Sequence, residues 1–238
     1  MKTTSSLAVI VAVTALATGL SRVAAADEEG VALGIVYDTS GSMQEPVRDR
    51  DGKSAPKYVI ANRALIAIAK QVQTFATNAA SGAPRRIDAG LYVFNSPGAR
   101  EAVKFGPFDE GKIESWARSF STPSGNTPLG NAVNTAAQAV LKSSLSRKHV
   151  LIITDGINNA GPSPGVVMPR LKQQAEQSHT SISLHFVAFD VDAKVFDSVK
   201  KLGATVVGAA DEKQLNGQLE FILQKKILLE DEEPPAKK

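Results

Sequence analysis

Apolar residues along the chain follow two alternating patterns. Five runs are β-branched and almost continuously hydrophobic: residues 31–37 (VALGIVY), 87–94, 150–154, 182–189 and 204–209. Such runs suit strands covered on both faces, as in a parallel sheet. Between them the period becomes that of a helix. Ala61, Leu65, Ile68, Val72 and Phe75 step by 4, 3, 4 and 3, which lays one apolar stripe on a helix over residues 57–78. Leu129, Val133, Ala136 and Val140 repeat that stepping. Helices are also predicted over 169–178, 193–202 and 212–229. Trp116 sits on an amphipathic segment, KIESWARSF, and is expected in the core. A weaker strand at 101–105 follows Ser96-Pro97-Gly98, a turn that would bring it back antiparallel at the sheet edge. Strand alternating with helix gives crossover units. The predicted fold is therefore α/β and doubly wound: a mostly parallel sheet with one antiparallel edge strand and helices on both faces.

The two ends depart from this pattern. Met1-Lys2, an apolar run over 7–20 and Ala24-Ala25-Ala26 before Asp27 read as a secretory signal peptide, residues 1–26. The run is shorter than the roughly 20 residues a membrane helix needs. A secreted or periplasmic protein with no transmembrane segment after cleavage is expected, an uncleaved anchor being the alternative. One domain, 27–229, follows. The tail 230–238 (EDEEPPAKK) is charged, carries Pro-Pro and is expected to be mobile.

Composition narrows the function. With 43% hydrophobic and 21% charged residues, bulk disorder, collagen and coiled coil are excluded. The 238-residue chain has 27 basic and 24 acidic residues, but residues 1–26 carry Lys2, Arg22 and no acid, so the remainder is formally +1. That gives no ground for a nucleic-acid partner. The absence of cysteine rules out disulfides, thiolate metal sites and a cysteine nucleophile.

In an open α/β sheet, ligands bind outside the carboxyl ends of the strands. The first strand delivers Asp38-Thr39-Ser40-Gly41-Ser42-Met43, a later one delivers Asp155-Gly156, and Ser124-Gly125-Asn126-Thr127-Pro128-Leu129 opens a helix between them. One rim thus collects two carboxylates and at least three hydroxyls, with oxygen donors alone. Alternate residues of a turn leaving a strand can point to one side, so Asp38, Ser40 and Ser42 can converge. Oxygen-only ligation suits Mg²⁺ and, less sharply, Mn²⁺ or Ca²⁺. With only two carboxylates, a metal here keeps residual positive charge and a coordination position for water or an outside oxygen.

DTSGSM after a buried strand, GNTPLG opening a helix and ITDG after a later strand resemble the three-part metal-ion-dependent adhesion site of von Willebrand factor type A domains. The resemblance extends over residues 31–229 and includes the order of elements. It implies that Asp38, Ser40, Ser42, Thr127 and Asp155 contact a metal, some through water. It also implies that a protein partner presenting an acidic side chain completes the metal sphere. The charged stretch 44–56 and the loop 157–165 would flank the metal and shape partner choice.

Plainer roles exist for each residue. Asp38 and Ser40 can cap a helix or close a turn. Thr127 before Pro128 reads as an N-cap, and Asp155-Gly156 as a turn. Asp190 and Asp192 are expected to begin a helix. Arg48, Arg50, Lys53 and Lys57 are expected in a solvated loop. His149, His179 and His185 lack ligand spacing and are expected to be structural or surface residues. No catalysis is expected. Ser40 stands where an aspartyl-phosphate hydrolase needs its second acid, no lysine follows the Gly125–Gly130 loop as in a P-loop, no Gly-x-Ser-x-Gly elbow occurs, and the motifs hold no histidine base. The alternatives are an envelope protein whose metal only stabilises the fold and, further off, a Mg²⁺-dependent phosphohydrolase.

Overall fold

The computed structural model describes residues 28–78, 85–95 and 98–229. Along the chain come β1 (Glu28–Tyr37), a 3-10 turn (Gly41–Gln44), the short strands β2 (Pro46–Arg48) and β3 (Ser54–Pro56), and α1 (Lys57–Thr77). Then follow β4 (Ile87–Asn95), β5 (Gly98–Pro107), α2 (Glu110–Ser119), α3 (Leu129–Leu141) and β6 (Leu145–Thr154). The last third holds α4 (Pro164–Gln177), β7 (Ser183–Phe189), a 3-10 turn (Ala193–Phe196), α5 (Asp197–Lys201), β8 (Thr205–Ala209), α6 (Glu212–Ile222) and a π-helical stretch (Leu223–Leu228). The expected signal peptide and the charged tail lie outside the described residues.

β1 is the axis of a six-stranded sheet ordered β5-β4-β1-β6-β7-β8, in which only β5 is antiparallel. Because strand side chains alternate, β1 feeds both layers. Val31, Leu33, Ile35 and Tyr37 pack with α1, α2 and α6, while Ala32 and Val36 pack with α3 and α4. The helical stripe of α1 is buried at Ala61, Leu65, Ile68 and Val72. Trp116 packs on that layer, stacked on Phe120 at 5.1 Å and edge-on to Tyr37 at 5.2 Å.

Several boundaries differ from the sequence expectation. The weak edge strand is ten residues long, since pairing with β4 supplies what its own pattern lacks. α4 begins at Pro164, so Pro169 lies inside it; a proline there forgoes one backbone bond near the start. The helix expected over 193–202 is a 3-10 turn followed by the short α5. The helix expected to Leu229 widens into the π-helical stretch, which puts Leu223, Ile227 and Leu228 on the buried side. Stretch 44–56 folds as the β2–β3 hairpin. His149 and His185, distant in sequence, meet across β6 and β7 with Nδ1 and Nε2 3.2 Å apart and rings stacked. Burial lowers their pKa values to about 3 and about 4; His179 is exposed.

The chain leaves β1 for β4 on one side and later returns to β6 on the other. The crevice at the carboxyl ends of β1 and β6 is therefore the switch point where doubly wound sheets bind ligands. Gly130, in the first turn of α3, sits hard against the loop that covers this end: a Cβ there would collide with the Pro162 carbonyl oxygen and lie 2.8 Å from the Ser163 carbonyl carbon. Both obstacles are backbone. Gly130→Ala is expected to cost about 1–3 kcal/mol in urea unfolding, whereas substitution at Gly217, with open space around it, is expected to be neutral or stabilising.

Candidate functional site

Asp38 is the first residue past β1, and its amide still donates to Ile153 of β6 at 3.0 Å. The ladder thus fixes its backbone, and its side chain is fully buried. Oδ1 accepts from the Ser40 amide at 2.8 Å and the Ser40 hydroxyl at 2.5 Å. Oδ2 accepts from the Thr154 hydroxyl at 2.6 Å. Ser40 Oγ lies 3.1 Å from Ser42 Oγ, and Ser42 Oγ donates to Asp155 Oδ1 at 2.8 Å. A continuous line of oxygens therefore joins the two carboxylates.

Thr127 reaches the same place from the α3 side. Its amide donates to Asn159 Oδ1 at 2.7 Å, and its carbonyl accepts from the Asn159 amide at 3.1 Å. Gly130 N donates to Asn158 Oδ1, which ties the start of α3 to the loop after β6. A Cβ at Gly156 would lie 3.4 Å from Thr127 Oγ1 and 3.9 Å from Ser42 Oγ, so both hydroxyls border one small space. The Gly41 amide donates to Gly125 O and the Ser124 amide to Thr39 O, closing the loop before α3 onto the turn after β1. All five sequence candidates, Asp38, Ser40, Ser42, Thr127 and Asp155, are thus brought to one rim.

Among the described residues, no group of three or more His, Asp or Glu side chains is placed to hold a metal. Any cation here depends on hydroxyls. The donor set fits one: when Ser40 and Ser42 each give their proton to a carboxylate, two oxygens stand 3.1 Å apart with lone pairs between them. Burial, reinforced by the Asp155 charge, raises Asp38 from 3.8 to about 6 despite the hydrogen bonds from Ser40 and Thr154. A buried carboxylate under that strain gains from a counter-cation.

Three participants were not legible in sequence. Thr154 looked like the last apolar-strand residue, yet it holds Asp38. Asp192 caps the 3-10 turn by accepting from Lys194 N, but Asp190 turns instead to Lys57. Lys57 is the correction to the solvated-loop reading. It is 2% exposed, and its ammonium meets Glu45 Oε2 at 2.9 Å, Asp155 Oδ2 at 3.1 Å and Asp190 Oδ2 at 3.1 Å. Burial disfavours its charge, but these carboxylates prevail and its pKa is raised.

Comparison with known proteins agrees with this architecture. Residues 33–217 match the family model of the von Willebrand factor type A domain. The fold is similar to that of the PilB minor pilin from Streptococcus sanguinis, with TM-score 0.62 and 15% identity, covering 83% of this chain and 61% of that one. It is also similar to proximal thread matrix protein 1 from the mussel byssus with a zinc-occupied MIDAS motif, with TM-score 0.57 and 16% identity, covering 83% of this chain and 48% of that one. The vWF domain of the type V pili tip protein Mfa5 from Porphyromonas gingivalis aligns with TM-score 0.55 and 13% identity, over 82% and 94% of the two chains. The chain thus spans under two thirds of the pilin and about half of the byssus protein. No curated protein sequence matches it.

The Asp38 shift has a defined consequence for stability. A folded carboxyl with raised pKa binds more protons than the unfolded one between pH 3.8 and about 6, so its contribution falls as pH rises through that window. By pH 7 the cost is roughly 3 kcal/mol. The buried histidines act oppositely, since their lowered values remove stability as pH falls below 6.5. The test is therefore the difference between wild type and Asp38→Asn in EDTA, in which the histidine contribution cancels. Asp38→Asn is expected to be the more stable at pH 7, with the gap closing toward pH 4. An unchanged gap across urea melts at these pH values would refute the assignment.

Proposed function

Because the chain belongs to the von Willebrand factor type A domain family, we propose that it is a secreted or periplasmic binding module. It holds a divalent cation at the rim between β1 and β6 and, through that cation, an acidic side chain of a protein partner. The observation that carries this reading is the convergence of Asp38, Ser40, Ser42, Thr127 and Asp155 at the sheet's switch point as a set of oxygens only. Mg²⁺ suits such hard donors, with Mn²⁺ or Ca²⁺ as substitutes. Asp38 and Asp155 supply the anionic charge and Ser40, Ser42 and Thr127 neutral oxygens. A cation bound there supplies Lewis acidity toward an oxygen from outside the chain.

The chain's residues do the rest. Thr154 and Ser40 orient Asp38, Asn159 sets Thr127, and Ser42 and Lys57 hold opposite oxygens of Asp155. Ile157, 61% exposed and two residues beyond Asp155, gives the rim an apolar neighbour that a partner can cover. A binding role rather than an enzymatic one is supported by how fully the cluster's polar groups are occupied: Lys57 is held by three carboxylates, and both oxygens of Asp38 accept hydrogen bonds from Ser40 and Thr154. The pilin and pilus-tip neighbours support a place outside the cytoplasm, and no helix among the described residues is long and apolar enough to cross a membrane.

The test is a pull-down from envelope extract on the immobilised chain in Mg²⁺ and in EDTA. A partner retained only in Mg²⁺ is expected, with retention lost in Asp38→Ala and weakened at least about tenfold in Ser40→Ala. Both variants are expected to keep the wild-type circular dichroism spectrum. Retention that ignores EDTA and both substitutions would leave the cation a fold-stabilising role and overturn the binding reading.

A further inference from the structure

Lys57 opens α1, is nearly inaccessible to solvent, and draws carboxylates from three separate segments: Glu45 before the hairpin, Asp155 after β6 and Asp190 after β7. The three are not equivalent. The side chains of Glu45 and Asp190 are 64% and 39% exposed and are solvated without help, whereas that of Asp155 has no exposure. A buried carboxylate needs a counter-charge, so the ammonium matters most to Asp155. It takes Oδ2, while Oδ1 accepts from Ser42 at the rim. Asp155 is therefore shared between an internal cation on one oxygen and the hydroxyl line on the other. Charge neutralised by Lys57 is unavailable to a second cation.

We propose that Lys57 is the internal counter-cation of the rim, a positioning residue that holds Asp155 in place without metal and weakens the site's affinity for a divalent ion, so that the ion exchanges. This rests on the reading of the rim as a metal site. An arginine would preserve the charge; a methionine would preserve the volume of the stem and remove the charge. Lys57→Met therefore leaves the buried Asp155 without its ammonium partner, which makes the metal-free protein less stable and divalent binding more favourable.

Wild type, Lys57→Met, Lys57→Arg, Asp155→Asn and the double variant Lys57→Met/Asp155→Asn would be compared by Mg²⁺ titration calorimetry and by urea midpoint in EDTA. Lys57→Met is expected to bind Mg²⁺ roughly tenfold more tightly, with Lys57→Arg within about twofold of wild type. In EDTA, Lys57→Met is expected to lower the urea midpoint and Asp155→Asn to recover most of that loss in the double variant. Unchanged or weaker Mg²⁺ binding by Lys57→Met overturns the proposal, as does a loss that Asp155→Asn leaves unrepaired. If Lys57→Met does not fold in EDTA, refolding on Mg²⁺ addition, read by Trp116 fluorescence, supports the proposal, and failure to refold overturns it. No Mg²⁺ heat from wild type overturns the site reading and the affinity half of the proposal, while the EDTA cycle still decides the counter-ion half.

Discussion

Two carboxylates end neighbouring parallel strands and both are shut away from water. Parallel register sets Tyr37 opposite Ile153, which delivers Asp38 beside Thr154 and Asp155 one residue beyond, both at the carboxyl end of the sheet. Like charges brought this close in a medium of low dielectric repel, and burial removes the solvent that would screen them. Burial of Asp38 is the larger cause of its rise toward 6, and the Asp155 charge adds to it. Nearly every polar group at this end of the molecule acts against it: Ser40 and Thr154 on Asp38, Ser42 and Lys57 on Asp155.

That constraint explains features that would otherwise look unrelated. The hairpin after the first turn brings Glu45 to Lys57, and it is itself tied down at Arg50, whose amide donates to Glu212. Glu212 in turn takes two hydrogen bonds from Arg63 of α1, so the hairpin, α1 and α6 share one buried acid. On the other side, Asn158 and Asn159 fasten the loop after β6 to the start of α3. The rim is thus assembled from segments far apart in sequence, each held by backbone as well as side-chain bonds. Such support keeps the donor oxygens within hydrogen-bond distance of one another rather than leaving them on free loops.

How much of this could be read from the sequence follows from what each residue type announces. The layers were legible because buried parallel strands and amphipathic helices carry different periods, and β1 and α1 declare theirs over many residues. The five rim candidates were legible because Asp-x-Ser-x-Ser, Thr-Pro and Asp-Gly each follow or open a recognisable element. Lys57 was not: a lysine among Arg48, Arg50 and Lys53 looks like any other solvated charge, and only the tertiary fold shows three carboxylates closing on it. Thr154 was hidden for the opposite reason, as a β-branched residue at the end of an apolar strand. The pairing of His149 with His185 needed the β6–β7 register, which no spacing in the chain reveals.

The choice of neutral donors at the rim then takes on a functional sense. Asp38, Asp155 and Lys57, all buried, together carry one net negative charge. A third acid at position 40 or 42 would raise the repulsion that the fold already works to contain, and it would quench a bound divalent ion. Hydroxyls at Ser40, Ser42 and Thr127 avoid both effects, since they offer lone pairs without charge. Glu45 and Asp190 add negative charge only at the solvent-exposed edge, where water and salt screen it. Under the proposed reading, a divalent ion held at a rim built this way would keep unspent positive charge toward the outside. That is the electrostatic condition for capturing a carboxylate from another molecule, and it follows from the same balance that lets the two aspartates stay buried.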